Sequence, residues 1–272
     1  MLLRESSDGS LSAYNALFDE CYHSLKDGAL SETLHKHIYP SLIHLVSINK
    51  RLSSIIKHDA TSLESSTYQG ILQDSKYLPN ELCVLDICFG LGYNSFTLLA
   101  LLNQIGYEGK VKIYSPEQDE SLFSALLDFS YPPLLAPYKK HINEVLFFFA
   151  NAPTHTLNTY NTAFGEIKSE FCIYKGDALV MLHLLLQESF HIIYQDAFSP
   201  KKNPTLWSEE YFCMLYRLLH PQGIITTYSQ SSAVIKNALK AQFKVYNYES
   251  HIVRGGSVMG KNPIHLPSLK AR

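Results

Sequence analysis

The residues that most constrain the fold of this chain are 84–95, VLDICFGLGYNS. An apolar run over 82–87 reads as a buried strand, carrying Asp86 near its end and followed by a glycine pair, Gly90 and Gly92. A helical spacing then starts at Asn94 or Ser95 and runs through Phe96, Leu98, Leu99, Leu101 and Leu102. Strand, tight glycine turn and helix in that order make the first unit of an open α/β sheet. Downstream the rhythm repeats. Short apolar runs predict strands at 82–87, 111–115, 171–175, 190–195 and 223–229, and amphipathic stretches predict helices at 94–104, 119–127, 178–188, 206–219 and 231–241. Such alternation implies a parallel sheet covered on both faces. Residues 243–253 alternate in polarity and suit an antiparallel edge hairpin.

Two stretches stand outside this pattern. Residues 1–80, rich in Ser, His and Tyr, read as an N-terminal extension of short elements, and 81–272 as the α/β domain. Within that domain, 128–169 is rich in Pro and aromatics and reads as an insertion holding one helix and a long loop, of the kind that forms lids or substrate-binding elements.

Gly lets a ligand approach the backbone, and a helix start presents free N–H groups, so nucleotide-like cofactors bind at such turns. The same turn also occurs in proteins that bind nothing there. A dinucleotide fingerprint would carry a third glycine, absent here. An acidic residue four positions before the first glycine would repel a diphosphate. It points instead to S-adenosylmethionine, whose amino group and ribose hydroxyls donate to carboxylates.

In open α/β sheets the ligand sits beyond the carboxyl ends of the strands. Four successive predicted strands carry acids there: Asp86, Glu117, Asp177 and Asp196. Glu117 suits a ribose diol and Asp177 an adenine amino group. Each also has a plainer reading, Asp177 as a helix N-cap and Glu117 as a solvated turn residue. Four in succession favour an adenosine-containing ligand.

Composition narrows the class. A formal net charge of −2 does not advertise a nucleic-acid binder, yet leaves room for a local basic patch. No apolar run nears the ~20 residues of a membrane helix, and no signal pattern opens the chain, so no membrane role is expected. The five cysteines form no CxxC pair and suit buried thiols in a reducing cytoplasm. His35 and His37 lack ligand partners at metal spacing, so no metal is expected.

The stretch 194–215, YQDAFSPKKNPTLWSEEYFCML, is the most specific. It resembles the Asp-Gly/Ala-Phe-x-Pro-x-x-Asn-Pro-x-x-Trp signature of the methyltransferase domain of the bacterial wobble-uridine enzyme MnmC and its free-standing homologues. The glycine turn is similar to that family's GFGTGLN segment. Residues 18–32, with Ser24, Asp27, Gly28 and Glu32, resemble its short S…DG…E stretch, and Gly176–Asp177–Ala178 matches as well. Cys88 stands where the family often carries its first glycine, Leu91 and Tyr93 replace a small residue and a leucine, and the basic C-terminal stretch is reduced to Arg254 and Lys261.

The resemblance implies a Rossmann-like class I S-adenosylmethionine-dependent methyltransferase sheet with a small N-terminal extension. The implied activity is N-methylation of the 5-aminomethyl group of (2-thio)uridine at the tRNA wobble position. It implies tRNA as partner, alongside a separate oxidase or upstream wobble-modification enzymes, and S-adenosylmethionine as cofactor. At 272 residues the chain is expected to be the monofunctional type, without flavin. The cofactor set is Asp86, Phe89, Gly90, Gly92, Asn94, Glu117, Asp177 and Asp196. Asp196 is the catalytic candidate, taking or relaying a proton from the amine or orienting it. Asp27, Glu32, Phe198, Pro200, Lys201 and Trp207 are the substrate candidates, with Trp207 a stacking platform for a base. Lys139, Lys140, His141 and Lys202 join Lys201 as candidate phosphate contacts. Three other readings remain open: a methyltransferase on another RNA base or small amine, an aminopropyl transferase, and an inactive RNA-binding scaffold of the same fold.

Overall fold

The structure is a computed structural model that describes residues 1–57, 74–267 and 269–272. Residues 58–73, part of the expected extension, lie outside the described residues. Its centre is a nine-stranded mixed sheet. The five inner strands are β9 (Leu219–Thr227), β8 (Phe190–Gln195), β4 (Glu81–Ile87), β5 (Lys110–Glu117) and β7 (Ile167–Lys175), in that spatial order. All four pairings among them are parallel. The chain runs from β4 outward through β5 to β7, then returns to β8 on the other side of β4. This reversal opens a crevice above β4 and β8, where ligands of such sheets bind.

The inner strands are nearly continuous apolar runs because helices cover both faces. On one face, α3 (Tyr93–Gln104) and α5 (Lys139–Asn151) bury Phe96, Leu98, Leu99, Val145 and Phe149. On the other, α6 (Ala178–Leu184), α7 (Glu209–Leu218) and α8 (Ser232–Lys240) bury Met181, Phe212, Leu215 and Val234. The short helix α4 (Leu122–Leu126) follows β5.

Both sheet edges are antiparallel. At one, β10 (Lys244–Tyr248) pairs with β11 (Gly256–Gly260) and β12 (Leu269–Ala271), so the partner of the expected hairpin strand lies beyond residue 253. At the other, β6 (Leu157–Phe164) turns at Gly165 directly into β7. Much of the long loop expected within 128–169 is therefore a hairpin. Gly165 has φ +61°, and a Cβ there would stand 2.4 Å from Asn103 Oδ1, so this tight turn requires glycine.

The N-terminal residues form a three-stranded antiparallel sheet, β1 (Leu2–Glu5), β2 (Leu11–Asn15) and β3 (Glu20–Cys21). It leads into a helix whose segments are α1 (Ala29–Glu32), a π-helical stretch (Thr33–Ile38) and α2 (Tyr39–Lys57). The expected extension of short elements thus contains one long helix, packed on the sheet beside β9. The wider π turn brings both Lys36 and His37 inward, where they are buried. Among the described residues no helix is long and apolar enough to cross a membrane.

Candidate active site

A cavity of about 640 Å³ opens over the carboxyl ends of β4, β5, β7 and β8. Its floor is the glycine turn, including Cys88, Phe89, Gly90 and Asn94. Its rim carries Glu117, Asp177 and Asp196, and its outer wall comes from the N-terminal sheet, with Asn15, Phe18, Tyr22 and His23. Contacts to the loop after β8 tie that wall in place. The Phe18 ring stacks on Phe198 at 4.5 Å, Ser199 N–H donates to Glu20 at 3.1 Å, and Lys202 pairs with Asp19 at 2.9 Å.

At the turn, Cys88 (φ +69°), Gly90 (φ +53°) and Gly92 (φ +75°) all lie in the left-handed region. For Cys88, which has a Cβ, this backbone is strained. A Cβ on Gly92 would lie 2.6 Å from the Phe96 ring, so this glycine is required by the closed start of α3. Gly92 does not reach the cavity wall.

Glu117 closes the turn from the neighbouring strand. Its carboxylate accepts the Gly90 N–H at 2.9 Å and the Asp119 N–H at 2.8 Å, one on each oxygen. Burial pushes its carboxyl up to about 7, against the pull of these backbone donors. Asp177 caps α6, its Oδ1 accepting Leu179 N–H at 2.7 Å, and also lines the cavity. The cap and cavity readings of this residue therefore coexist.

The structure separates two acids that the sequence places alike. Asp86 is fully buried and does not line the cavity. It accepts Ser95 O–H at 2.7 Å and Asn94 Nδ2 at 3.2 Å, bracing the first turn of α3, and burial pushes it up to about 7. The expected direct cofactor contact from Asp86 is thus replaced by support from behind. Asn94 spans the gap. Its Nδ2 also donates to Asp196 at 2.9 Å, while its buried Oδ1 has no partner.

Asp196 stands where the main cavity meets a side chamber of about 280 Å³, lined also by Glu20, His23, Glu32, Phe198 and Tyr228. Burial alone would raise its carboxyl, but the neighbouring imidazoles of His37 and His23 and the donor of Asn94 outweigh this and hold it well below the usual carboxylate range. His37 Nδ1 bonds Thr226 Oγ1 at 2.9 Å. Its Nε2 lies 3.5 Å from Asp196 Oδ1, close enough for an ion pair without forming a regular hydrogen bond.

The substrate candidates disperse. Phe198 lines both chambers. Glu32 reaches only the side chamber. Asp27 and Glu32 both grip Lys36, at 2.8 and 2.6 Å, and Asp27 reaches neither chamber. Burial pulls the Lys36 ammonium down, but the two carboxylates outweigh this and raise it. Pro200 and Lys201 lie outside both chambers. Trp207 is core: 2% exposed, its Nε1–H donates to Phe198 O at 2.8 Å and its ring meets Tyr228 edge-on. A stacking platform needs an open ring face, so the structure corrects that expectation. Among the candidate phosphate contacts, Lys139, Lys140 and Lys201 are exposed, and His141 Nδ1 is 3.9 Å from Glu144.

Tyr22, His23, Lys36 and His37 were not singled out as site residues from sequence. For Lys36 and His37 the one legible signal is polar side chains recurring through a segment that otherwise continues as a buried helix.

The cavity suits S-adenosylmethionine. Its volume falls within the ~300–1,000 Å³ of small-molecule sites, the Glu117 carboxylate can receive a diol, and the orphaned Asn94 Oδ1 can receive an amino group.

Comparison with known proteins agrees with this geometry. Residues 140–259 match a family described as S-adenosyl-L-methionine-dependent methyltransferase. The crystal structure of MNMC2 from Aquifex aeolicus superimposes with a TM-score of 0.70 at 26% identity, over 98% of this chain and 72% of that one. An uncharacterized protein of Methanocaldococcus jannaschii is 26% identical over 98% of the chain, which spans 61% of that relative's length. The tRNA 5-methylaminomethyl-2-thiouridine biosynthesis bifunctional protein MnmC of Pseudomonas savastanoi pv. phaseolicola is 34% identical over 114 residues, 40% of this chain and 17% of that protein. With a doubly wound sheet, an acid-rimmed cavity at its switch point and these likenesses, the chain is similar to S-adenosyl-L-methionine-dependent methyltransferases, through the family match over residues 140–259, and to MNMC2 along nearly its whole length.

Proposed function

We propose that this protein methylates the 5-aminomethyl nitrogen of (2-thio)uridine at the tRNA wobble position, using S-adenosylmethionine. The observation that carries the reading is Asp196, which stands at the junction of the cofactor-sized cavity and a smaller acid-lined chamber. A carboxylate at that junction can hold a primary ammonium from the smaller chamber against a ligand in the larger one.

When bound, the cofactor supplies a methyl group on a sulfonium. The chain's own residues do the rest. Glu117 receives the ribose hydroxyls, Asp177 the adenine amino group and Asn94 Oδ1 the amino group of the methionyl end. Asp196, held ionised, accepts a hydrogen bond from the acceptor nitrogen and fixes its approach, an orienting role that contributes through proximity. Phe198, stacked on Phe18, separates the chambers from bulk water. The exposed lysines 139, 140 and 201 are available to tRNA phosphates.

The test is nucleoside mass spectrometry of tRNA carrying 5-aminomethyluridine after incubation with the protein and S-adenosylmethionine, with unmodified tRNA and a polyamine as control acceptors. A gain of one methyl on that nucleoside is expected. Methylation or alkyl transfer only on the polyamine would replace this reading with a small-amine transferase.

A further inference from the structure

We propose that His23 is the base that takes the proton from the acceptor amine, a role that rests on the amine-methylation reading above. Nucleophilic attack needs a nitrogen lone pair, and an alkylamine with a pKa near that of lysine (~10.4) arrives mostly as ammonium. Some group at the chamber junction must receive its proton.

The geometry leaves His23 in that position. Of the acids nearby, Asp196 is held far below the range in which a carboxylate keeps a proton, so it orients the nitrogen and does not deprotonate it. Glu117 is engaged by the Gly90 and Asp119 N–H groups, Glu32 by Lys36 and the Ser24 N–H, Glu20 by the Ser199 N–H, and Asp86 does not reach the cavity. His37 is fully buried, lines neither chamber, and is committed to Thr226. His23 lines both chambers, as Asp196 does. Its ring is held edge-on against Tyr93 at 5.1 Å, and its buried Nδ1 has no hydrogen-bond partner, Glu32 Oε2 being 4.0 Å away.

The groups that face the ring are Asp196 after β8, Glu32 on α1, His37 on the π turn, Asp8 in the β1–β2 turn and Tyr93 on α3. Burial outweighs the acids among them and lowers the imidazole, so at neutral pH it is uncharged with its lone pair available. A neutral ring also places no cation beside a sulfonium and an ammonium.

In the step, an N–H bond of the ammonium breaks and its proton bonds a ring nitrogen of His23. The freed nitrogen pair bonds the methyl carbon as the carbon–sulfur pair leaves on sulfur. The product is a secondary ammonium, and the imidazolium returns its proton to water when the product leaves.

The test compares wild type with His23→Gln and His23→Phe. With aminomethyl-tRNA, the wild-type turnover should reach a plateau once the imidazole is neutral. In H23Q the rate at neutral pH should fall about a hundredfold or more, the usual scale of a lost general base, and should keep rising with pH. Added imidazole should restore part of it, while S-adenosylmethionine affinity by calorimetry stays within about twofold. An independent reading needs no cofactor: the His23 ring nitrogens, followed by ¹⁵N NMR, should titrate below the ~6.5 of an unperturbed histidine side chain. Wild-type rate and plateau in both folded variants, or a His23 charged at neutral pH, would overturn the role. Wild-type protein that binds the cofactor and methylates no aminomethyl-tRNA would instead overturn the function itself and this role with it.

Discussion

Replacing Glu117 with Gln tests the cofactor site and its electrostatic strain together. In the free protein the Glu117 carboxyl is raised from 4.5 to about 7 by burial. At ~1.4 kcal/mol per tenfold change in proton affinity, that corresponds to roughly 3 kcal/mol. The folded state therefore holds this proton more tightly than the unfolded chain. Its contribution to stability is greatest at low pH and is lost as pH climbs from about 4.5 through about 7. Asp86, raised from 3.8 to about 7, acts in the same direction, so wild-type stability should fall steeply over that range. The amide cannot ionise and should remove Glu117's share of the slope, leaving that of Asp86. The same change removes the charge that would receive two ribose hydroxyls. One or two charge-assisted hydrogen bonds, at ~1.5–3 kcal/mol each, amount to at least about a tenfold and up to roughly a ten-thousandfold loss of S-adenosylmethionine affinity. Calorimetric titration with the cofactor and thermal melts, both from about pH 5.5 to about pH 8.5, read the two effects. In wild type, affinity should rise towards pH 7 as the carboxylate ionises and then level off; in E117Q it should be weak and flatter. A variant with wild-type affinity, or a wild type whose stability is flat across this range, would refute the assignment.

Asp196→Ala should cut methyl transfer by about a hundredfold or more while S-adenosylmethionine binds within a few-fold of wild type, measured by single-turnover assay and calorimetry; full activity would remove Asp196 from the mechanism. Trp207→Phe loses the Nε1–H bond to Phe198 O and should lower stability by about 1–2 kcal/mol in denaturant melts. A fall in tRNA affinity larger than the loss of fold would return Trp207 to the interface. Lys36→Met leaves Asp27 and Glu32 without their buried cation and should destabilise by about 3–5 kcal/mol at neutral pH, relieved on acidification as the carboxylates protonate. A variant as stable as wild type would show that the two acids are well solvated.

The sequence by itself determined the sheet and the place of its crevice. Apolar strand runs, helical spacing and the Gly90–Gly92 turn are local patterns, and in a doubly wound sheet local order fixes which strand ends face the crevice. Thus Glu117, Asp177 and Asp196 are legible as crevice residues, and all three line the cavity. Tertiary structure decided what each side chain does there. Asp86 and Asp196 follow the same pattern along the chain. Only packing shows that Asn94 stands between them, with one acid buried behind the turn and the other at the wall. Trp207 follows the loop that resembles a substrate motif, yet faces the core because its indole N–H finds the Phe198 carbonyl. The histidines were least legible. His37 meets Thr226 across 189 residues, and His23 reaches Asp196's chamber from the N-terminal sheet. No periodicity encodes such contacts, because they arise only when a separate sheet and helix close over the crevice and exclude the water that would otherwise solvate these groups.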